Sequence, residues 1–172
     1  MLLAIDPGSA APGPACVTFA DREIVTAFFS YAPPVVGVTM ILIERPEDHG
    51  LRSRRARPAD LMALAWCGGL AAGFAKGVNP GASIVEAAPS VWKGSEPKPI
   101  HHARLWKALG ERERAVLCGD VTGAAIAAAV AKGASKRWAI AGAECYPRAF
   151  KTHNLLDAAA LGCWHLGRLA NR

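Results

Sequence analysis

Three carboxylates occupy positions where they could serve a metal ion. Asp6 closes the apolar run Leu2-Leu3-Ala4-Ile5 and precedes the turn Pro7-Gly8-Ser9. A carboxylate at the mouth of a buried strand can hold a divalent cation over an open crevice. The same tripeptide also serves as a plain turn, with Pro fixing φ and Gly accepting a positive φ. Glu44 repeats the arrangement at the end of Val38 to Ile43, just before Arg45-Pro46. Asp157 lies among Leu155, Leu156, Ala158, Ala159, Ala160 and Leu161, so almost any helix orientation sets it against apolar surface. Burying an unpaired charge costs several kcal/mol, so Asp157 requires a basic side chain, a proton or a bound cation. His153 at i−4 and Asn154 at i−3 share its helical face and can each coordinate a metal or hydrogen-bond a carboxylate. Oxygen ligands with at most one nitrogen suit Mg²⁺, or Mn²⁺, better than Zn²⁺. The plainer readings are a salt bridge from Asp157 to Arg148 and a helix-terminal or core role for His153.

The elements that must position these groups follow from periodicity. Leu2 to Asp6, Ala15 to Ala20 and Glu23 to Phe29 read as strands, the last two joined by a tight Asp21-Arg22 turn, which implies an antiparallel start. After Pro33-Pro34, Val38 to Glu44 is a fourth strand, apolar enough to be buried on both faces. Residues 45 to 57 form a basic loop, and a helix over about 59 to 76 follows, with Pro58 and Asp60 suited to its first turn. Its apolar positions are Leu61, Leu64, Ala65, Gly68, Leu70 and Ala72. Gly68, Gly69 and Gly73 each cost about 1 kcal/mol in a helix interior, which implies close approach to the sheet or to another helix, or else a subunit interface. Ala82 to Ala87 is a fifth strand. A Pro-rich link, a helix near His102 to Leu109, an Ala-rich helix over Gly123 to Ala131 and a last helix from His153 to Leu169 complete the chain. The order of elements predicts an α/β fold, and 172 residues predict a single domain spanning 1–172.

Apolar residues make up 52% of the chain, but no run is as long and uncharged as a membrane span requires, and the first residues lack the layout of a signal peptide. The five cysteines are scattered and never form Cys-x-x-Cys, which fits reduced thiols in a cytoplasmic protein rather than disulfides or a zinc cluster. The formal charge of +6 and the pI near 9.3 favour an anionic partner such as nucleic acid. Arg52, Arg54, Arg55 and Arg57 form a basic cluster directly after Glu44, and Lys93 and Lys98 are further candidates for phosphate contact. A solvated face that binds nothing is the alternative use of such a run.

Ile-Asp6-Pro-Gly-Ser, Ile-Leu-Ile-Glu44 and His153-Asn154-x-x-Asp157-Ala158 together resemble the RuvC-type Holliday junction resolvases of the ribonuclease H-like superfamily. The short length and the Val91-Trp92-Lys93-Gly94 segment look most similar to phage-type members. The resemblance implies a ribonuclease H-like mixed five-stranded sheet flanked by helices, with first and fourth strands side by side, and a homodimer acting on four-way DNA junctions in recombination and repair. It assigns catalytic and metal-binding roles to Asp6, Glu44 and Asp157. The family usually has Asp or His three residues before the helix aspartate; this chain has Asn154 there and His153 one residue earlier, so either could be the fourth ligand. His153 could also shuttle a proton. On this reading two Mg²⁺ ions about 4 Å apart promote phosphodiester hydrolysis. Rival readings are a related nuclease for other branched DNA or RNA-containing substrates, a sugar or acid kinase, for which a second domain and phosphate loop are missing, and a non-enzymatic DNA-binding module.

Overall fold

The computed structural model describes residues 1–8, 13–47, 57–96, 98–118, 137–138, 146–147 and 152–169. Five strands, β1 (Leu2–Asp6), β2 (Ala15–Ala20), β3 (Glu23–Phe29), β4 (Met40–Glu44) and β5 (Ser83–Ala87), form one mixed sheet in the order β3-β2-β1-β4-β5. β2 runs antiparallel to both its neighbours, β1 and β3, while β1, β4 and β5 are mutually parallel. The helices are α1 (Pro58–Val78), the single turn α2 (Pro89–Trp92), α3 (Lys98–Ala108), α4 (Glu111–Cys118) and α5 (Thr152–His165). A two-stranded ribbon, β6 (Arg137–Trp138) with β7 (Tyr146–Pro147), stands apart from the main sheet. The α/β class and the mixed five-stranded sheet flanked by helices agree with the sequence reading.

Successive strand side chains point to opposite faces of the sheet, and the core divides accordingly. Leu3, Ile5, Ile41 and Ile43 pack with Ala71, Ala72 and Ala75 of α1. Leu2, Ala4, Val17, Phe19 and Leu42 pack on the other face with Leu156, Ala159, Ala160 and Leu161 of α5, joined by Trp92, Leu105 and Leu117. β4 is therefore buried on both faces, as its composition predicts. By the same alternation Asp6 follows Leu2 and Ala4, and Glu44 follows Leu42, onto the α5 side.

The β2–β3 turn closes with both Asp21 (φ 48°) and Arg22 (φ 72°) left-handed, the backbone that suits the twist of a two-residue hairpin. Neither residue is Gly, and side-chain clamps hold the tip: Arg22 Nη2 donates to the Leu166 carbonyl at 2.6 Å, and Arg168 Nη1 donates to the Arg22 carbonyl at 2.8 Å.

Several boundaries differ from the expected ones. β4 starts at Met40 rather than Val38, because the Val38 N–H is taken by the buried Asn79 side chain at 2.9 Å. α3 begins at Lys98 rather than near His102, since Pro99 in a first turn needs no N–H partner. The sequence reading did not include α4, and α5 stops at His165, short of the expected Leu169. In α1, Ala65 and Leu70 are exposed, contrary to the expected apolar face; Gly68, Ala71, Ala72 and Ala75 are the buried residues. Gly68 alone shows the close approach expected of the glycines, its hypothetical Cβ meeting Ile43 Cδ1 at 2.9 Å and Pro7 Cγ at 3.0 Å. Gly69 and Gly73 have nothing within 4 Å. α1 is also long and apolar enough, by length and composition, to cross a membrane, although one side of it packs on the sheet. The Ala-rich stretch from Gly123 to Ala131 lies outside the described residues.

Candidate functional site

β1 and β4 run parallel in register, Ile5 opposite Ile43, so Asp6 and Glu44 leave the sheet at the same level. α5 crosses above them on the face both carboxylates share and brings in Asp157. Asp6 and Asp157 are buried, Glu44 half-buried. The three carboxylates, which come from the start, the first third and the end of the chain, feel one another's charge. Burial pushes the Asp6 pKa well above the usual carboxylate range, and Glu44 and then Asp157 push it further. Glu44 is raised in the same way, first by burial and then by Asp157, against the pull of Lys93.

Asp157 behaves oppositely. Burial alone would raise its pKa, but the hydrogen bond from His102 and the charge of Lys98 outweigh burial and hold it well below the usual range. His102 Nε2 lies 2.9 Å from Oδ1, and because an ionised carboxylate only accepts, Nε2 carries the hydrogen. Lys98 Nζ forms an ion pair with Oδ2. Burial lowers the Lys98 pKa and Asp157 more than restores it, so the ammonium titrates above its ordinary value. The sequence reading required a cation, a proton or a base at Asp157. Two α3 side chains meet that requirement, neither of them the suggested Arg148, which lies outside the described residues.

The remaining polar groups frame the crevice. Among the described residues Glu44 Oε2 and the Trp92 indole Nε1 are both buried with no hydrogen-bond partner, although the indole lies close enough to favour the ionised form of Glu44. Lys93 Nζ lies 5.0 Å from the centre of the Trp92 ring. Trp92 and Lys93 also line a cavity of about 260 Å³ with Glu96, His101 and Arg104. Glu47 accepts the Ser90 N–H at 3.0 Å and the Ser90 hydroxyl at 2.7 Å, fixing the segment after β4 to the start of α2.

The fit to a divalent cation is split. Among the described residues no group of three or more His, Cys, Asp or Glu side chains lies close enough to hold one ion together. Asp6 and Glu44 do fit as a pair: both are electrostatically strained by burial, and Glu44 offers an orphaned oxygen. Asp157, with both oxygens engaged, becomes a ligand only if Lys98 gives way.

Of the other candidates, Asn154 sits half-buried one turn before Asp157 on α5. His153 belongs to α5 by its backbone, and its side chain lies outside the described residues. Arg57 is exposed at the N-cap of α1, while Arg52, Arg54 and Arg55 lie outside the described residues. Lys98, read from sequence as a phosphate contact, forms an ion pair with Asp157. His102 was missed. Its signal was available, because Lys98 and His102 are four residues apart and share a helical face once the helix begins at Lys98. No family model, curated protein or solved structure matches this chain.

Proposed function

We propose that this chain is a metal-dependent, structure-selective endonuclease of the ribonuclease H-like type that resolves four-way DNA junctions as a homodimer. One observation carries the reading: β1 and β4 run parallel in register, so Asp6 and Glu44 leave the sheet side by side on the face that α5 covers, where burial first and the neighbouring carboxylates second raise the pKa of both. Buried like charges are costly unless a cation completes them. The adjacent parallel strands β1 and β4 within a mixed sheet accord with the resemblance drawn from the three sequence motifs.

In this reading Asp6 and Glu44 hold the cation, with Asp157 joining when Lys98 moves to the substrate. A bound divalent ion supplies Lewis-acid activation and charge neutralisation at a phosphodiester. Water adds to phosphorus, the bond to the 3′ oxygen breaks, and that oxygen takes up a proton, leaving 5′-phosphate and 3′-hydroxyl ends. Lys98, with 42% of its side chain exposed, can reach a phosphate from its place on Asp157. His102, fully buried, keeps Asp157 oriented throughout. Lys93 and Arg57 add positive charge along the approach.

The test is a synthetic four-way junction incubated with Mg²⁺ or with EDTA, with products sized on a denaturing gel. Symmetric incision that needs Mg²⁺ is the expected result. Incision of RNA–DNA hybrids or flaps in preference to junctions would move the reading to another nuclease of the same type. Absence of Mg²⁺-dependent incision on all of them would remove it.

A further inference from the structure

The cavity beside α2 is lined by a buried acceptor that has no donor among the described residues. His101 Nδ1 lies 3.1 Å from Glu96 Oε2, which also accepts from Arg104 Nη1 at 2.7 Å. Burial would raise the Glu96 pKa, but the hydrogen bonds from Arg104 and His101 hold it below its usual value. The carboxylate is therefore ionised and only accepts, so Nδ1 carries the ring hydrogen. Burial in turn lowers the His101 pKa against the pull of Glu96, which keeps the imidazole neutral at pH 7 and leaves Nε2 a bare acceptor. His101 is 3% exposed, and a nitrogen so buried costs stability until a donor reaches it.

We infer that this cavity takes the base of one unpaired nucleotide of the DNA substrate, with His101 Nε2 accepting from the base edge and Lys93 holding the adjoining phosphate. Every nucleobase carries an N–H on the edge used for pairing, and only an unpaired or extruded nucleotide has that edge free to offer. The volume of about 260 Å³ is several times the roughly 30 Å³ share of a water molecule. It falls below the about 300 Å³ at which sites for drug-sized ligands begin, which suits a single base. Val91 and Ser95, which also line the cavity, are exposed, so it opens to the surface. Lys93 lines it too, and its charge acts on both Asp6 and Glu44, so cavity and crevice lie within reach of one strand. The inference rests on the proposed function for the identity of the polymer; it adds what in a branched substrate is recognised, since a plain duplex has no unpaired base to give.

Equilibrium binding in EDTA reads the cavity without cleavage. Three labelled probes are titrated with the full chain by fluorescence anisotropy: a duplex with one unpaired cytosine, the same duplex with an abasic site in its place, and the fully paired duplex. The unpaired base should bind at least about 10-fold tighter than either of the others, the scale of one base contact. His101→Phe removes the acceptor. Ser95→Trp, at an exposed position, fills the cavity from outside and keeps the test open if the buried substitution unfolds the chain. A folded variant of either kind should bind all three probes alike. Equal binding of the three probes by the wild type overturns the proposal, and so does a preference that survives Ser95→Trp. Mg²⁺-dependent junction cleavage alongside equal binding would remove the role of the cavity and leave the nuclease reading standing. Preference for the unpaired base without any cleavage would keep the cavity and remove the nuclease.

Discussion

Glu113 and Asp6 are both buried carboxylates on the α5 side of the sheet, and their surroundings are opposite. Glu113 accepts from Arg168 Nη1 at 2.6 Å and Nη2 at 2.7 Å, from the Ile24 N–H at 2.9 Å and from the Gly110 N–H at 2.9 Å. Burial would raise its pKa, but the Arg168 hydrogen bonds and the two backbone donors bring it down to about 2. Asp6 has burial and two neighbouring carboxylates acting on it, and its pKa rises. Glu113 ties α4, the start of β3 and the chain after α5 together, so its charge is neutralised at home. Lys98 and Lys93 offset the repulsion at Asp6 only in part, and perturbed carboxylates of this kind cluster at functional sites, which is why the proposed function gives Asp6 the cation. Asp157 is satisfied as Glu113 is, but by Lys98 and His102, one of which is exposed enough to move.

Asp6→Asn should break the contrast most. Junction cleavage should fall by at least about 10³-fold, the scale of losing a central electrostatic element of catalysis, while junction binding and fold persist. Its stability in urea at pH 7 should equal or exceed that of the wild type, because the substitution removes a buried repelled charge; a clear loss would mean that Asp6 is satisfied after all. Glu113→Gln should do the reverse, costing about 3 kcal/mol in urea at pH 7 while cleavage measured well below the melting temperature stays within about twofold of the wild type. Equal stability of variant and wild type would show that the Arg168 pair contributes nothing net.

The pH dependence separates the two carboxylates by sign. Glu113 has a folded-state pKa below its unfolded value near 4.3, so its stabilisation is complete above that value and is lost as pH falls toward about 2. Asp6 has a raised folded-state pKa, so the stability linked to it is present below the unfolded value and is lost as pH rises through the folded one. Urea midpoints across pH 2.5 to 7 should therefore show the Glu113→Gln difference shrinking on acidification and the Asp6→Asn gain shrinking as well, the first by loss of the pair and the second by protonation of Asp6. The smallest effect is expected at Lys98. Lys98→Met should cost about 1 kcal/mol, since the lysine is partly solvated, and Mg²⁺ should restore more stability to this variant than to the wild type. An equal response to Mg²⁺ would argue that the cation does not reach Asp157.

Much of this arrangement was legible in the sequence because it is local. Alternation and turn residues mark the strands ending in Asp6 and Glu44, and Asp21-Arg22 marks the hairpin. The partners of Asp157 were not legible in the same way. Lys98 and His102 lie 59 and 55 residues away, and the misplaced start of α3 hid their shared face. The helix α4 escaped notice because Glu111, Arg112, Glu113 and Arg114 read as a polar run, while its buried carboxylate depends on an arginine 55 residues later. The glycines of α1 were visible, but which of them meets the sheet depends on the rotation of the helix, and only Gly68 faces Ile43 and Pro7.

The sequence alone determined the element types, the acidic strand ends and the apolar surroundings of Asp157, since backbone preference and periodicity act within a few residues. The tertiary structure decided that all three carboxylates share one face and that Asp157 is met by Lys98 and His102. Those outcomes depend on strand register and helix rotation, which are set by packing between segments distant along the chain.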